Sequence, residues 1–391
     1  MNILYIVHDL NDAAVHRRVA MLEAGGANIT LMGFFRGKEP NLSSSTISLG
    51  QTHDASFLHR VLSISKAKLM LKQCLATHQI GRNNHDLIIA RNLDMLALGV
   101  AANKKLDLPL VYECLDIHRF LIHSGVLGRL FRQLEQSLTR SASMLITSSQ
   151  GFVDHYFRPI SKASLPTLVL ENKVFTTKPL PTVEPQASVN GPIIITWNGA
   201  IRCSRSLDIL CDVSNKMAGR VKVVIRGKPA YTEFNDFQAI IDSHAHIEFL
   251  GPYQFPDDLA QIYSSAHFNW TLDYFEEGGN SEWLLPNRIY EGGLFSTPPL
   301  YRRGNFTAQT LEALQIGCPL KGLTNQEITD EVVDFLSRLN QGNYQQLVQA
   351  SLSVPTSRWL FDTAQAKSLV ATLQQLSLPS QSQNLTELTS C

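Results

Sequence analysis

Apolar residues along the chain fall into two alternating patterns. Short β-rich runs at Ile3–Val7, Ile29–Phe34, Leu87–Ala90, Leu110–Tyr112 and Met144–Thr147 predict buried strands. Between them, Ala13–Ala24 and residues 57–76, 93–104 and 125–142 space their apolar side chains for helices, as Val15, Val19 and Leu22 do in the first. Strands separated by whole helices do not pair as hairpins, so the repetition predicts a parallel sheet covered on both faces. A Pro/Thr-rich stretch, residues 175–192, interrupts the pattern and reads as a linker. The alternation then restarts. Strand-like runs occur at Ile193–Trp197, Val221–Ile225, Ile247–Leu250, Phe268–Leu272 and Pro299–Tyr301, with helical stretches at 206–218, 256–264, 287–293 and 307–316. The pattern predicts an α/β protein of two doubly wound, Rossmann-like domains, residues 1–174 and 193–354, facing each other across a cleft. Residues 355–377 form a further helical region, and the polar residues 378–391 are expected to be disordered.

Composition narrows the class. Hydrophobic residues make up 44% of the 391, enough for two sizeable cores, and no run of about 18 apolar residues suggests a membrane span. The opening MNILYIVHDL lacks a basic flank and reads as a strand rather than a signal peptide. Six scattered cysteines without a CxxC pair are expected as reduced thiols in a cytoplasmic protein. Net charge is zero, but residues 1–180 carry 20 Lys+Arg against 13 Asp+Glu, and the remainder carries 14 against 21. An excess of seven positive charges suits an anionic partner for the first half. The helical stretch 57–76 mixes Leu, Ile and Met with Arg60, Lys66, Lys68 and Lys72, as a helix lying on an anionic membrane does. Neither an aromatic-basic platform nor a recognition helix is evident, so nucleic acid is not an expected partner.

Candidate chemistry is sought at strand ends, because open parallel sheets bind ligands past the carboxyl ends of their strands. After the first strand of the second domain, Gly199 is expected to turn tightly, Ser204 or Ser206 to cap the next helix, and Arg202 and Arg205 to hold a diphosphate at its N-terminus. After the next strand, Gly227 and Lys228 suit close approach of a base or phosphate. In the segment 278–293, Gly278 and Gly279 suit a flexible anion-binding loop, and Pro286 and Asn287 open a helix. Glu291, about one turn in, has two oxygens to match a ribose diol, and Gly292 and Gly293 permit close packing on a strand. In the first domain, Asp116 and His118 follow a buried strand and are placed to deprotonate an acceptor hydroxyl. Asp9 and Asn11 occupy the equivalent place after the first strand. No GxGxxG follows Val7, and neither a P-loop nor GxSxG occurs, which disfavours dinucleotide, P-loop and hydrolase chemistry. No Asp-x-Asp pair occurs, so no metal is expected, and phosphate charge falls to Arg, Lys and helix dipoles.

The order ILYIVHDLND, LVYECLDIH, ENKV, WNGAIR and LPNRIYEGG resembles the GT-B glycosyltransferases over residues 2–350, and among them the ExoL-like group of bacterial exopolysaccharide assembly. The resemblance implies hexose transfer from a nucleotide diphosphate sugar, UDP-linked by expectation, to a lipid-linked or oligosaccharide acceptor at the inner face of the plasma membrane. It implies no further cofactor. It assigns Glu291 to the ribose, Arg202 and Arg205 to the diphosphate, the acceptor to the first domain, and the last helix to a crossing back onto that domain. Retaining relatives carry a second glutamate eight positions before the ribose-binding one, where this chain has Trp283 beside Glu282. A sugar-nucleotide epimerase on the same plan and a non-catalytic scaffold of the pathway are the alternative readings.

Overall fold

A computed structural model describes residues 1–39, 45–52 and 57–378, so the tail expected to be disordered lies outside the described residues from 379 onward. The chain forms two units: Met1–Glu171 with the chain from Asp362, and Asn172–Phe361. In the first unit, β1 (Asn2–Val7), β2 (Asn28–Phe35), β3 (Thr46–Gln51), β4 (Leu87–Arg91), β5 (Leu110–Cys114), β6 (Met144–Thr147) and β7 (Thr167–Val169) form one parallel sheet in the order β3-β2-β1-β4-β5-β6-β7. The central strands are buried on both faces and therefore read as continuous apolar runs. The edge strands β3 and β7 escaped the sequence reading because TISLGQ and TLV are too polar or too short to stand out. Helices α1 (Ala13–Ala24), α2 (Phe57–Thr77), α3 (Asn92–Leu106), α4 (Arg119–Ile122) and α5 (Val126–Thr139) link the strands.

Charge lies inside this unit. Glu113 on β5 accepts from Arg18 Nε at 2.7 Å, from Arg91 at 3.3 Å and from the Tyr5 hydroxyl, and Arg91 also donates to Tyr5 at 3.0 Å. Burial alone would raise the Glu113 pKa, but Arg18 and Arg91 together hold it below the ordinary carboxylate value. The last helix, Thr363–Gln375, opens with an Asp362/Gln365 capping box and packs on α1. Contact is so close that a Cβ on Gly25 would lie 2.3 Å from the Ala366 carbonyl oxygen.

In the second unit β9 (Ile193–Ile201), β10 (Val221–Pro229), β11 (Ile247–Phe249), β12 (Phe268–Trp270), β13 (Pro299–Arg302) and β14 (Cys318–Leu320) form a parallel sheet in the order β11-β10-β9-β12-β13-β14. The short β8 (Val174–Phe175) pairs with β15 (Leu360–Phe361). Two sequence expectations need correction here. Residues 175–192 are not a free linker: Phe175 is in a strand, Leu180 and Val183 pack on the core, and the Gln186 carbonyl accepts from Tyr344 at 2.9 Å. Residues 355–377 are not one helical region, since 355–361 turn and pair within this unit before the last helix begins. Helices Asn325–Ser337 and Gln341–Leu352, absent from the sequence reading, complete the unit.

His267 fastens the incoming segment. Its Nε2 meets the Ser188 carbonyl at 2.8 Å and its Nδ1 accepts the Ile194 N–H at 3.0 Å. Both contacts together require the neutral ring. Burial lowers the His267 pKa below its ordinary 6.5, with the Ser188 bond acting the other way. The unfolded chain then binds the proton more readily, so this stabilisation is complete above about pH 6.5 and lost as pH falls toward the folded value. Thermal unfolding of His267→Gln should decline less between about pH 7.5 and about pH 5 than wild type. Identical declines would refute the assignment.

Candidate active site

Strand order in the first unit reverses between β1 and β4, which is where a doubly wound sheet opens its crevice. The residue following β1 is His8, and Asn92 follows β4 with a left-handed φ of 66°. His8 Nε2 lies 3.7 Å from Asp12 Oδ2, and its Nδ1 is buried with no partner among the described residues. Burial lowers the His8 pKa; Asp94 and Asp12 pull it up, Arg91 and Arg36 down. Sequence reasoning passed over His8. Its signal, a titratable residue just past the strand at the reversal, exists only once the strand order is known.

The neighbouring Asp9 and Asn11 brace the loop: Asp9 Oδ1 accepts the Asn11 N–H at 3.0 Å, and Asn11 Nδ2 donates to the Arg36 and Lys38 carbonyls at 2.9 and 2.8 Å. Asp116 and His118, past β5, are both exposed. His118 caps α4, its Nδ1 accepting the Phe120 N–H at 3.3 Å. In that tautomer the ring proton sits on Nε2, so His118 offers a donor, whereas ionised Asp116 offers acceptors.

In the second unit the reversal falls between β9 and β12. Gly199 does not turn the chain there, contrary to expectation: pairing with β10 carries β9 through Ile201. Gly199 and Gly227 face each other in register with φ of 105° and 140°. A Cβ on Gly227 would lie 1.8 Å from the Gly199 carbonyl oxygen, so only glycine permits this approach. Directly past β9 the Arg202 guanidinium lies 4.5 Å over the Phe275 ring and makes no ion pair among the described residues. The helix Ser204–Met217 is capped by Cys203, not by Ser204 or Ser206: the Cys203 sulfur accepts the Ser206 N–H at 3.4 Å.

Arg205 is corrected too. It pairs with Glu277 at 2.9 Å, donates to Asn325 Oδ1 at 2.8 Å and to the Leu323 carbonyl, and stacks 4.0 Å over Tyr274. These contacts make it a brace of the 273–277 loop rather than a phosphate ligand. Lys228 is exposed at the end of β10, without an ion pair among the described residues.

Glu291 sits on the helix Asn287–Leu294, for which Pro286 is the N-cap and Asn287 the first residue. Its carboxylate is buried, and Oε2 accepts from Tyr253 at 3.2 Å and Tyr263 at 3.0 Å. The helix is pressed onto its neighbours at its glycines. A Cβ on Gly292 would lie 2.4 Å from Asn269 Nδ2, and one on Gly293 would lie 2.5 Å from the Trp359 ring. Gly278 and Gly279 form no flexible anion loop: the Gly278 N–H donates to Glu282 at 3.3 Å, and Gly279 caps the one-turn helix Asn280–Trp283. Glu282 is engaged by Arg302.

Two successive parallel sheets of this order, each reversing beside its first strand, constitute the GT-B glycosyltransferase fold. Sucrose-phosphate synthase from Thermosynechococcus elongatus shares it over 96% of this chain and 99% of its own, with a TM-score of 0.72 at 13% identity. Anabaena HepE in complex with UDP shares it over 96% and 100%, with a TM-score of 0.64 at 14% identity. No family model matches the sequence. The succinoglycan biosynthesis protein ExoL of Rhizobium meliloti (strain 1021) is 40% identical across 97% of this chain and 94% of its own. The chain belongs to the ExoL family of succinoglycan biosynthesis proteins. Among the described residues no helix is long and apolar enough to cross a membrane.

Proposed function

We propose that this chain transfers a hexose from a UDP-sugar to a lipid-linked or oligosaccharide acceptor in exopolysaccharide assembly. The observation that carries the reading is Arg202, a cation without an ion-pair partner among the described residues, at the strand reversal of the second unit beside the Gly199–Gly227 approach. The UDP bound to HepE agrees with a UDP donor. The diphosphate lies against Gly199, Gly227, Arg202 and Lys228, and Glu291, held by Tyr253 and Tyr263, takes the ribose hydroxyls near the Pro286–Asn287 helix start. The acceptor hydroxyl attacks the anomeric carbon, the bond to the diphosphate breaks, and negative charge grows on the leaving group, where Arg202 and Lys228 stabilise it without a metal ion. Trp283 stands where retaining relatives have a carboxylate, which favours inversion, with Asp116 taking the acceptor proton and His118 donating a hydrogen bond. A lipid-linked acceptor places the enzyme at the cytoplasmic face of the plasma membrane.

Calorimetric titration with UDP and GDP tests the donor site. Wild type should bind UDP in the micromolar range, about 8 kcal/mol, and Glu291→Ala should bind it at least about tenfold more weakly while remaining folded. Failure of the wild type to bind either nucleotide would overturn the reading.

A further inference from the structure

Helix α5 is built inside out. A surface helix ordinarily turns its apolar stripe inward. This one buries Gly128, Glu135 and Thr139 and exposes Val126, Leu127, Leu130 and Leu134 at 63%, 48%, 57% and 47%. Leu127, Leu130 and Leu134 follow i, i+3, i+7 spacing and so form one stripe. The inversion is enforced from within. A Cβ on Gly128 would lie 1.9 Å from the His123 carbonyl oxygen, and Arg132 donates to the Leu121 and His123 carbonyls at 2.7 and 2.9 Å, clamping the turn from α4. Glu135 accepts from Tyr112, Tyr156 and Ser161 at 3.1, 2.6 and 2.7 Å, which fixes the buried face of the helix.

The charges around the stripe have one sign. Within residues 119–140 the exposed arginines Arg119, Arg129 and Arg140 face no exposed acid of the same stretch, whose single acidic residue, Glu135, is buried; the exposed Asp116 precedes it. Helix α2 is basic as well, with exposed Lys66, Lys68 and Lys72, but Lys66 interrupts its Leu62–Leu69 face. An apolar stripe on a helix whose own exposed charges are cationic fits the interface of an anionic bilayer, where leucines enter the acyl boundary and arginines meet phosphates. The stripe also begins nine residues past His118, in the unit to which the acceptor is assigned.

We infer that α5, rather than α2, is the surface by which this protein docks on anionic phospholipid membranes. The inference deepens the proposed function, resting on the lipid-linked acceptor named there. Flotation of the full-length protein with phosphatidylcholine vesicles, with and without about one third phosphatidylglycerol, tests it. Wild type should float with the anionic vesicles, more weakly at high salt. A Leu127→Ser, Leu130→Ser, Leu134→Ser variant should bind about tenfold less or worse, with UDP affinity unchanged. Arg129→Glu with Arg140→Glu should also reduce flotation. Wild-type flotation by the triple-serine variant would overturn the inference. So would absence of wild-type flotation, or a wild-type dimer that the serine variant converts to monomer, since the stripe would then join two copies. Intact UDP binding without flotation would remove the membrane surface alone; flotation without UDP binding would support that surface and count against the transferase reading alone.

Discussion

Replacing Glu113 with alanine is expected to destabilise the first unit by about 3–5 kcal/mol, the cost of stranding buried charge. Arg18 and Arg91 are 5% and 3% exposed, so without Glu113 the first is left with no carboxylate partner among the described residues and the second keeps only the longer pair to Asp12 at 3.8 Å. The Tyr5 hydroxyl loses its acceptor at the same time. A companion replacement of the ionic cluster, Arg18→Met, Glu113→Leu and Arg91→Met, should recover much of the loss, because desolvation of the ions nearly cancels their mutual attraction. Urea unfolding followed by circular dichroism reads both effects. A Glu113→Ala shift below about 1 kcal/mol would mean that the network is solvated in solution.

The second large effect falls on turnover. Arg202→Ala should lower kcat by about 10²–10³, equivalent to about 3–4 kcal/mol of transition-state stabilisation, the usual scale for one preorganised donor to a developing anion. Asp9→Ala should cost far less, because Asp9 orders the loop at Asn11 and Arg36. Arg205→Ala should act through stability, its guanidinium being occupied by Glu277, Asn325 and Leu323. Steady-state kinetics alongside thermal unfolding separates the three. A greater kcat loss at Asp9 than at Arg202 would displace the diphosphate from the end of β9.

What the sequence disclosed divides along physical lines. β1, β4 and β5 were legible because a strand buried on both faces has no polar alternation to confuse it. The Glu291 helix was legible because Pro286 punctuates it locally. Arg205 was misread for the opposite reason: its partners Glu277, Leu323 and Asn325 lie 72 to 120 residues away, and no local spacing reports them. Gly199 was misplaced because the length of β9 is set by its pairing with β10, not by its own residues. The stripe on α5 was visible as helical periodicity, but periodicity does not say which face is turned inward. Gly128 against the His123 carbonyl decides that.

The first unit is assembled from two stretches of chain that flank the second unit, and this constrains its history in the cell. Residues Met1–Glu171 emerge from the ribosome ahead of the second unit, but the helix that packs on α1 at Gly25 is made only after Asn172–Phe361. At about 5–20 residues per second, those roughly 190 intervening residues take about 10–40 s to synthesise. Through that interval α1 waits with an uncovered flank, a target for chaperones and for mispairing with other nascent chains. The second unit is contiguous and has no such delay, so the part of the enzyme made first is completed last.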